Sequence, residues 1–305
     1  MSSTAASPRP ARATAFQRLR AGVIRLLAAF LRHLPQGAAD ALAEAVGEAY
    51  YRLSPSRAAQ ARRNLGHVAA YCAEKGIGSA RARAAAADPA ALERLVRASY
   101  RDLAIVYFQM LRGPAPVQRA VDAAVIETPE VLADAVARSG PTLFVGMHFG
   151  SIDMPAIFLA RQSGRPTQGP AETLADPALQ ALIDELRRPM GIRMVPLDRA
   201  RHELRAALRR GEAVGIVADR DIGGGGIATP LFGMPAPLPV GPALLALDTG
   251  VPVLVAAVRR LPDGRWAGRI ERLIAMAPEQ WWAVFHPIWP DLEGAGPAPR
   301  TGERR

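Results

Sequence analysis

From Pro141 onward, short apolar runs alternate with segments of helical spacing, and this alternation constrains the chain more than any other feature. Thr142–Met147 reads as a buried strand. A short helix starts near Pro155, because proline suits the first helical turn, where its missing N–H has no partner to lose. The pattern then predicts a helix over 176–190, a strand over 192–196, a helix over 199–210 and a strand over 213–218. A Gly/Pro-rich loop follows over 222–239, then a helix over 240–249 and strands over 252–259 and 266–274. Strands separated by helices bury their apolar faces as a sheet with helices against it, so the expected class is α/β. Residues 38–53 and 90–112 look helical, with a polar, Ala-rich connector over 73–90, so a helical N-terminal region should precede the sheet.

The 305 residues are 50% hydrophobic and 22% charged, enough for a full core and against global disorder. A single cysteine, Cys72, excludes an internal disulfide framework and a Cys-cluster metal site. His33, His67, His202 and His286 lack ligand spacing, so no metal is expected. The longest uncharged run, Ile222–Leu247, holds eleven Gly and Pro residues and cannot be a spanning helix. The boundaries read as a disordered tail at 1–13, an amphipathic helix at 14–35, a main domain at 36–292 and a second disordered tail at 293–305.

The net charge is +10, and among 38 basic residues Lys75 is the sole lysine. The positive surface is therefore guanidinium, which suits phosphate and acidic headgroups. A nucleic-acid partner is not expected, because aromatic residues are only 6% and the arginines are spread along the chain. In the first helix Phe16, Leu19, Val23, Leu26, Leu27, Phe30 and Leu34 follow helical spacing, with Arg18, Arg25 and Arg32 away from that stripe. A basic amphipathic helix of this kind fits an anionic membrane interface. Packing on its own domain, with the arginines in water, is the other reading.

The sharpest local feature is His148-Phe149-Gly150-Ser151-Ile152-Asp153. A strand delivers the histidine at its C-terminal end, where open α/β sheets place their ligands. Across a strand–turn–helix junction Asp153 can reach the ring, fix its tautomer and leave the other nitrogen as a base. From spacing alone Asp153 can equally be a helix cap beside a buried histidine. Gly223–Gly226 follows a strand, but no helix opens directly after it and no Gly-Lys-Ser/Thr occurs, against a P-loop or dinucleotide fold. Trp281 and Trp282 read as packing or interfacial anchors.

The segment resembles the H-x4-D motif of glycerolipid acyltransferases. Other elements resemble one branch, the lipid A biosynthesis acyltransferase superfamily, and within it the phosphatidylinositol mannoside acyltransferases. These elements are Arg62-Arg63-Asn64-Leu65, then Asp219-Arg220-Asp221 with its glycines, and Pro230-Leu231-Phe232-Gly233-Met234-Pro235-Ala236. Pro239–Ala243 through Gly250, and Pro278-Glu279-Gln280-Trp281-Trp282 with His286 and Trp289, complete the series. Ser151-Ile152 stands where the branch has Asn-Trp.

The resemblance implies a glycerolipid acyltransferase-like sheet flanked by helices. It also implies a peripheral, monotopic enzyme on the cytoplasmic face of the inner membrane. Such an enzyme moves a long acyl chain from coenzyme A or acyl carrier protein to a hydroxyl of a membrane glycolipid. No cofactor is implied beyond that thioester co-substrate. His148 and Asp153 would be catalytic. Glu172, Asp219, Arg220, Asp221, Gly223 and Gly224 would contact substrate. A lipid A precursor or lysophospholipid acceptor, or a non-catalytic lipid-binding protein on the same fold, are the alternatives.

Overall fold

The computed structural model describes residues 13–129, 140–261, 265–267, 281–286 and 288–289. Residues 1–12 of the tail read at 1–13, the tail read at 293–305, the far part of the strand read at 266–274, and Pro278-Glu279-Gln280 lie outside them. Six helices come first: α1 (Ala15–His33), α2 (Gln36–Leu53), α3 (Pro55–Glu74), α4 (Ala80–Ala84), α5 (Pro89–Leu111) and α6 (Pro114–Asp122). Helix α1 opens on a capping box: Gln17 N–H donates to the Thr14 hydroxyl, and Thr14 N–H donates to Gln17 Oε1. The Asp88 carboxylate accepts from Ala90 N–H at the start of α5. Helices α2 and α5 approach until a Cβ on Gly47 would lie 2.6 Å from the Arg101 Cα, so only glycine fits there. Glu48 receives Arg97 and Arg101 across the same pair; the hydrogen bond from Arg97 is the main cause that lowers its carboxyl to about 2.

The sheet is parallel. Its strands are β1 (Leu143–Gly146), β2 (Thr167–Ala171), β3 (Ile192–Pro196), β4 (Val214–Val217) and β7 (Val253–Val255), in the order β3-β2-β4-β1-β7. Helices α7 (Asp153–Ser163), α8 (Pro177–Arg187), α9 (Leu197–Arg209) and α10 (Gly241–Thr249) connect them. One apolar cluster joins α9 and α10 to β1, β3 and β4; another joins α7 and α8 to α1 and α5.

Several segments differ from the sequence reading, helix α6 among them. Helix α3 was not anticipated, although its buried positions Ala58, Ala61, Leu65, Val68 and Cys72 keep a 3.6-residue rhythm. Helix α4 forms inside the connector. Strand β2 (TQGPA) contains no β-branched residue except Thr167 and carries Pro170, so its composition argues against a strand. The expected loop over 222–239 contains a hairpin, β5 (Ile227–Leu231) and β6 (Met234–Leu238). Its two-residue turn, Phe232-Gly233, has positive φ at both positions, the conformation that matches strand twist. A phenylalanine there costs about 1–3 kcal/mol. Burial of the ring against Tyr71 and Trp289 offsets it.

Helix α1 packs by its small face. Ala21, Ala28 and Leu31 are buried, and Arg20 and Arg25 pair with Asp176 and Glu185. The stripe of Phe16 (71% exposed), Leu19, Val23, Leu26 (73%) and Phe30 faces outward, opposite the packed side. Among the described residues no helix is long and apolar enough to cross a membrane.

Candidate active site

The site lies where two central strands end side by side. Strands β1 and β4 pair in parallel, with Gly146 opposite Val217. Carried two residues further, the same register sets His148 opposite Asp219. Ala218 N–H still donates to the Gly146 carbonyl, which holds that register beyond the strands. From β1 the chain departs toward β2, and after β4 it crosses back past β1 to reach β7. The strand ends between these diverging connections form the crevice where open α/β sheets bind ligands.

The Asp219 carboxylate grips His148 twice. Its Oδ2 accepts from the His148 backbone N–H at 2.8 Å, and its Oδ1 lies 2.7 Å from ring Nδ1. The buried Trp281 indole also donates to Oδ2, at 2.9 Å. Burial alone would raise the Asp219 pKa, but the adjoining His148 charge and these hydrogen bonds outweigh it, and the group stays below the usual aspartate range. An ionised Asp219 can only accept, so the proton of a neutral His148 sits on Nδ1, and Nε2 is the basic nitrogen.

The carboxylate on the imidazole is therefore Asp219, in the place that the H-x4-D reading assigned to Asp153. Asp153 opens α7, and its carboxylate meets Arg187 of α8 at 3.2 Å. The turn between His148 and α7 is tied to the β7 side: Gly150, at φ +52°, bridges Val258 so closely that a Cβ would stand 1.8 Å from the Val258 carbonyl oxygen. That contact, which spacing does not reveal, fixes the path of the turn.

The other anticipated residues collect at the same edge. Glu172 directly follows β2 and takes a hydrogen bond from Arg220, which follows Asp219. The second arm of Arg220 lies 2.9 Å from His286 Nε2. Burial, and then the Arg220 charge, push the His286 imidazole down to about 4, so it stays neutral and accepts from the guanidinium. Asp221 turns inward on its own loop and accepts from Gly224 N–H (3.1 Å) and Gly226 N–H (2.8 Å); Gly223 lies within this turn. Among the described residues no group of three or more His, Cys, Asp or Glu side chains could hold a metal.

The upstream Arg62-Arg63-Asn64-Leu65 element supports this edge from behind. Asn64 donates to the His286 carbonyl at 2.8 Å, and Arg62 pairs with Glu93. His67 Nε2 lies 2.8 Å from the Phe232 carbonyl oxygen, which ties the hairpin to α3. The sequence reading missed Trp281 and His286 as members of the site. Each lies more than sixty residues from its partner, so spacing carries no signal, and only the W…H-x-x-W resemblance pointed to them.

With this geometry in view, comparison with known proteins is decisive for the family. The sequence profile of the bacterial lipid A biosynthesis acyltransferases matches residues 9–270. The chain belongs to that family. It is also 34% identical over 111 residues to a phosphatidylinositol mannoside acyltransferase of Mycobacterium tuberculosis, an alignment covering 35% of each chain. A protein of the same name from Mycolicibacterium smegmatis is 32% identical over 107 residues, 34% of this chain and 35% of the relative. The chain thus aligns with about a third of the length of these curated relatives of the family member described here.

Proposed function

We propose that this family member is an acyltransferase that moves a long fatty acyl chain from an acyl thioester to a hydroxyl of a membrane glycolipid. The observation that carries this reading is the Asp219–His148 pair at the C-terminal edge of the central strands. Nε2 of His148 takes the proton of the acceptor hydroxyl as its oxygen attacks the thioester carbonyl. The tetrahedral oxyanion collapses and expels the thiolate, which recovers the proton from the imidazolium. Asp219 holds the ring and stabilises its charged form, as a buried carboxylate does in a hydrolase triad. Arg220, kept by Glu172 and His286 and next in sequence to Asp219, suits the oxyanion or a substrate phosphate. The thioester is already activated, so no covalent acyl-enzyme is needed. Cys72, buried in α3, takes no part.

A mannosylated phosphoinositide is the first acceptor to test, on the strength of the relatives' names. The experiment offers purified protein palmitoyl-coenzyme A or palmitoyl-acyl carrier protein with a panel of acceptors. Acylated mannoside is the expected product. Transfer only to a lysophospholipid or a lipid A precursor would keep the chemistry and change the acceptor. Thioester hydrolysis without any acylated lipid would end the transferase reading.

We place the protein peripherally on the cytoplasmic face of the membrane, with the outward stripe of α1 as its contact. Large apolar side chains left exposed along one helix face, on a chain of net charge +10, fit an anionic lipid interface. Burying each such side chain contributes about 1.5–3 kcal/mol. Changing Phe16, Leu26 and Phe30 together to serine should therefore release the protein from anionic vesicles by at least roughly a hundredfold in partitioning, with an unchanged melting temperature. Vesicle sedimentation checks this, and equal binding by the variant would remove α1 from the membrane contact.

A further inference from the structure

Trp281 has no part in the proton transfers above, yet its side chain ends on the carboxylate that serves them. A buried indole N–H needs an acceptor, and here the acceptor is Asp219 Oδ2. The His148 backbone N–H reaches the same oxygen. A carboxylate can turn about its last bond. Two donors converging on one oxygen stop that turn and leave Oδ1 aimed at ring Nδ1. The indole is itself fixed to the strand end it serves. Trp281 forms an antiparallel bridge with Phe149, the residue after His148, and the Trp289 ring meets it edge-on at 5.9 Å.

We propose that Trp281 is a positioning residue for the proton-transfer pair: its indole N–H holds the Asp219 carboxylate in the rotation that keeps the His148 proton on Nδ1 and the basic nitrogen toward the crevice. The inference rests on the His148 mechanism proposed above and goes beyond it, since it assigns the orienting work to a residue on the far C-terminal segment. The charged and titratable groups around the pair are Arg220 and His286, with Glu172 on Arg220 and Arg57 acting on His286. Trp281 itself adds no charge, so its effect must act through the hydrogen bond.

The test replaces Trp281 with β-(3-benzothienyl)alanine, which keeps the bicyclic shape and puts sulfur in place of the N–H. The control is the same replacement at Trp289, whose indole donates to the Leu231 carbonyl at 3.1 Å. Two readouts are taken on the full chain: kcat and KM for acyl transfer from palmitoyl-coenzyme A, and the NMR titration of the His148 ring, assigned by its loss in His148→Gln. At position 281 kcat should fall roughly tenfold or more, the scale of one hydrogen bond to a charged group, while KM stays within about twofold. The His148 titration should move to lower pH, because a carboxylate free to turn away from Nδ1 stabilises the imidazolium less. Replacement at 289 should move neither.

An unchanged titration and kcat in the folded 281 variant, or a change in KM alone, would overturn the inference. If the analogue does not fold, Trp281→Phe is judged by the same criteria. If His148→Ala keeps full activity, the mechanism fails on its own, while the titration still reports whether Trp281 orients Asp219.

Discussion

His148→Ala should lower acyl transfer by at least roughly 10²-fold, the usual scale for loss of a general base. The fold should survive, because the ring is not part of the buried apolar clusters and the His148 backbone N–H still reaches Asp219. Circular dichroism and a melting curve establish the fold, and turnover of palmitoyl-coenzyme A with a mannosylated acceptor reads the rate. Near-normal turnover in folded His148→Ala would refute base catalysis by this residue. The family assignment would stand, since it rests on residues 9–270 and not on one side chain.

Asp219→Asn is expected to cost roughly 10²- to 10⁴-fold, in the range seen when the buried carboxylate of a hydrolase triad becomes an amide. An amide carries no charge to stabilise the imidazolium, and it can turn its NH2 toward Nδ1, which drives the proton onto Nε2. The side chain is buried against His148 and Trp281, so water is a poor replacement for the missing charge. The same change at Asp153 separates the two carboxylates. Asp153 meets Arg187 at the start of α7, so Asp153→Asn should lose less rate and show a lowered melting temperature instead. Equal losses of rate at both positions, with unchanged stability, would return Asp153 to the catalytic role that the H-x4-D reading gave it.

Local pattern determined much of the architecture. The apolar runs at β1, β3 and β4, the helix at α9 and the helix after Pro242 were all legible, because side-chain periodicity is a short-range property. His148 was legible for the same reason: a histidine at the end of a buried strand stands out in a window of ten residues. Strand β2 was not legible, since its backbone pairs with β3 and β4 despite Gly169 and Pro170, and sheet position outweighed propensity there. The outward face of α1 was not legible either. Periodicity reports that a helix has an apolar stripe, but not whether protein or another surface covers it, and here small residues and arginines make the protein contact.

The partner of His148 was decided by tertiary structure alone. Within the sequence Asp153 is five residues away and Asp219 is seventy-one. Strand order and parallel register reverse that ranking, because β4 lies beside β1 with its residues in step and the turn after His148 is drawn toward Val258 by Gly150. Composition and local pattern set which chemical groups were present and that strand ends would display them. Which carboxylate, which arginine and which indole meet at the imidazole depended on long-range pairing across the sheet, which no local window contains.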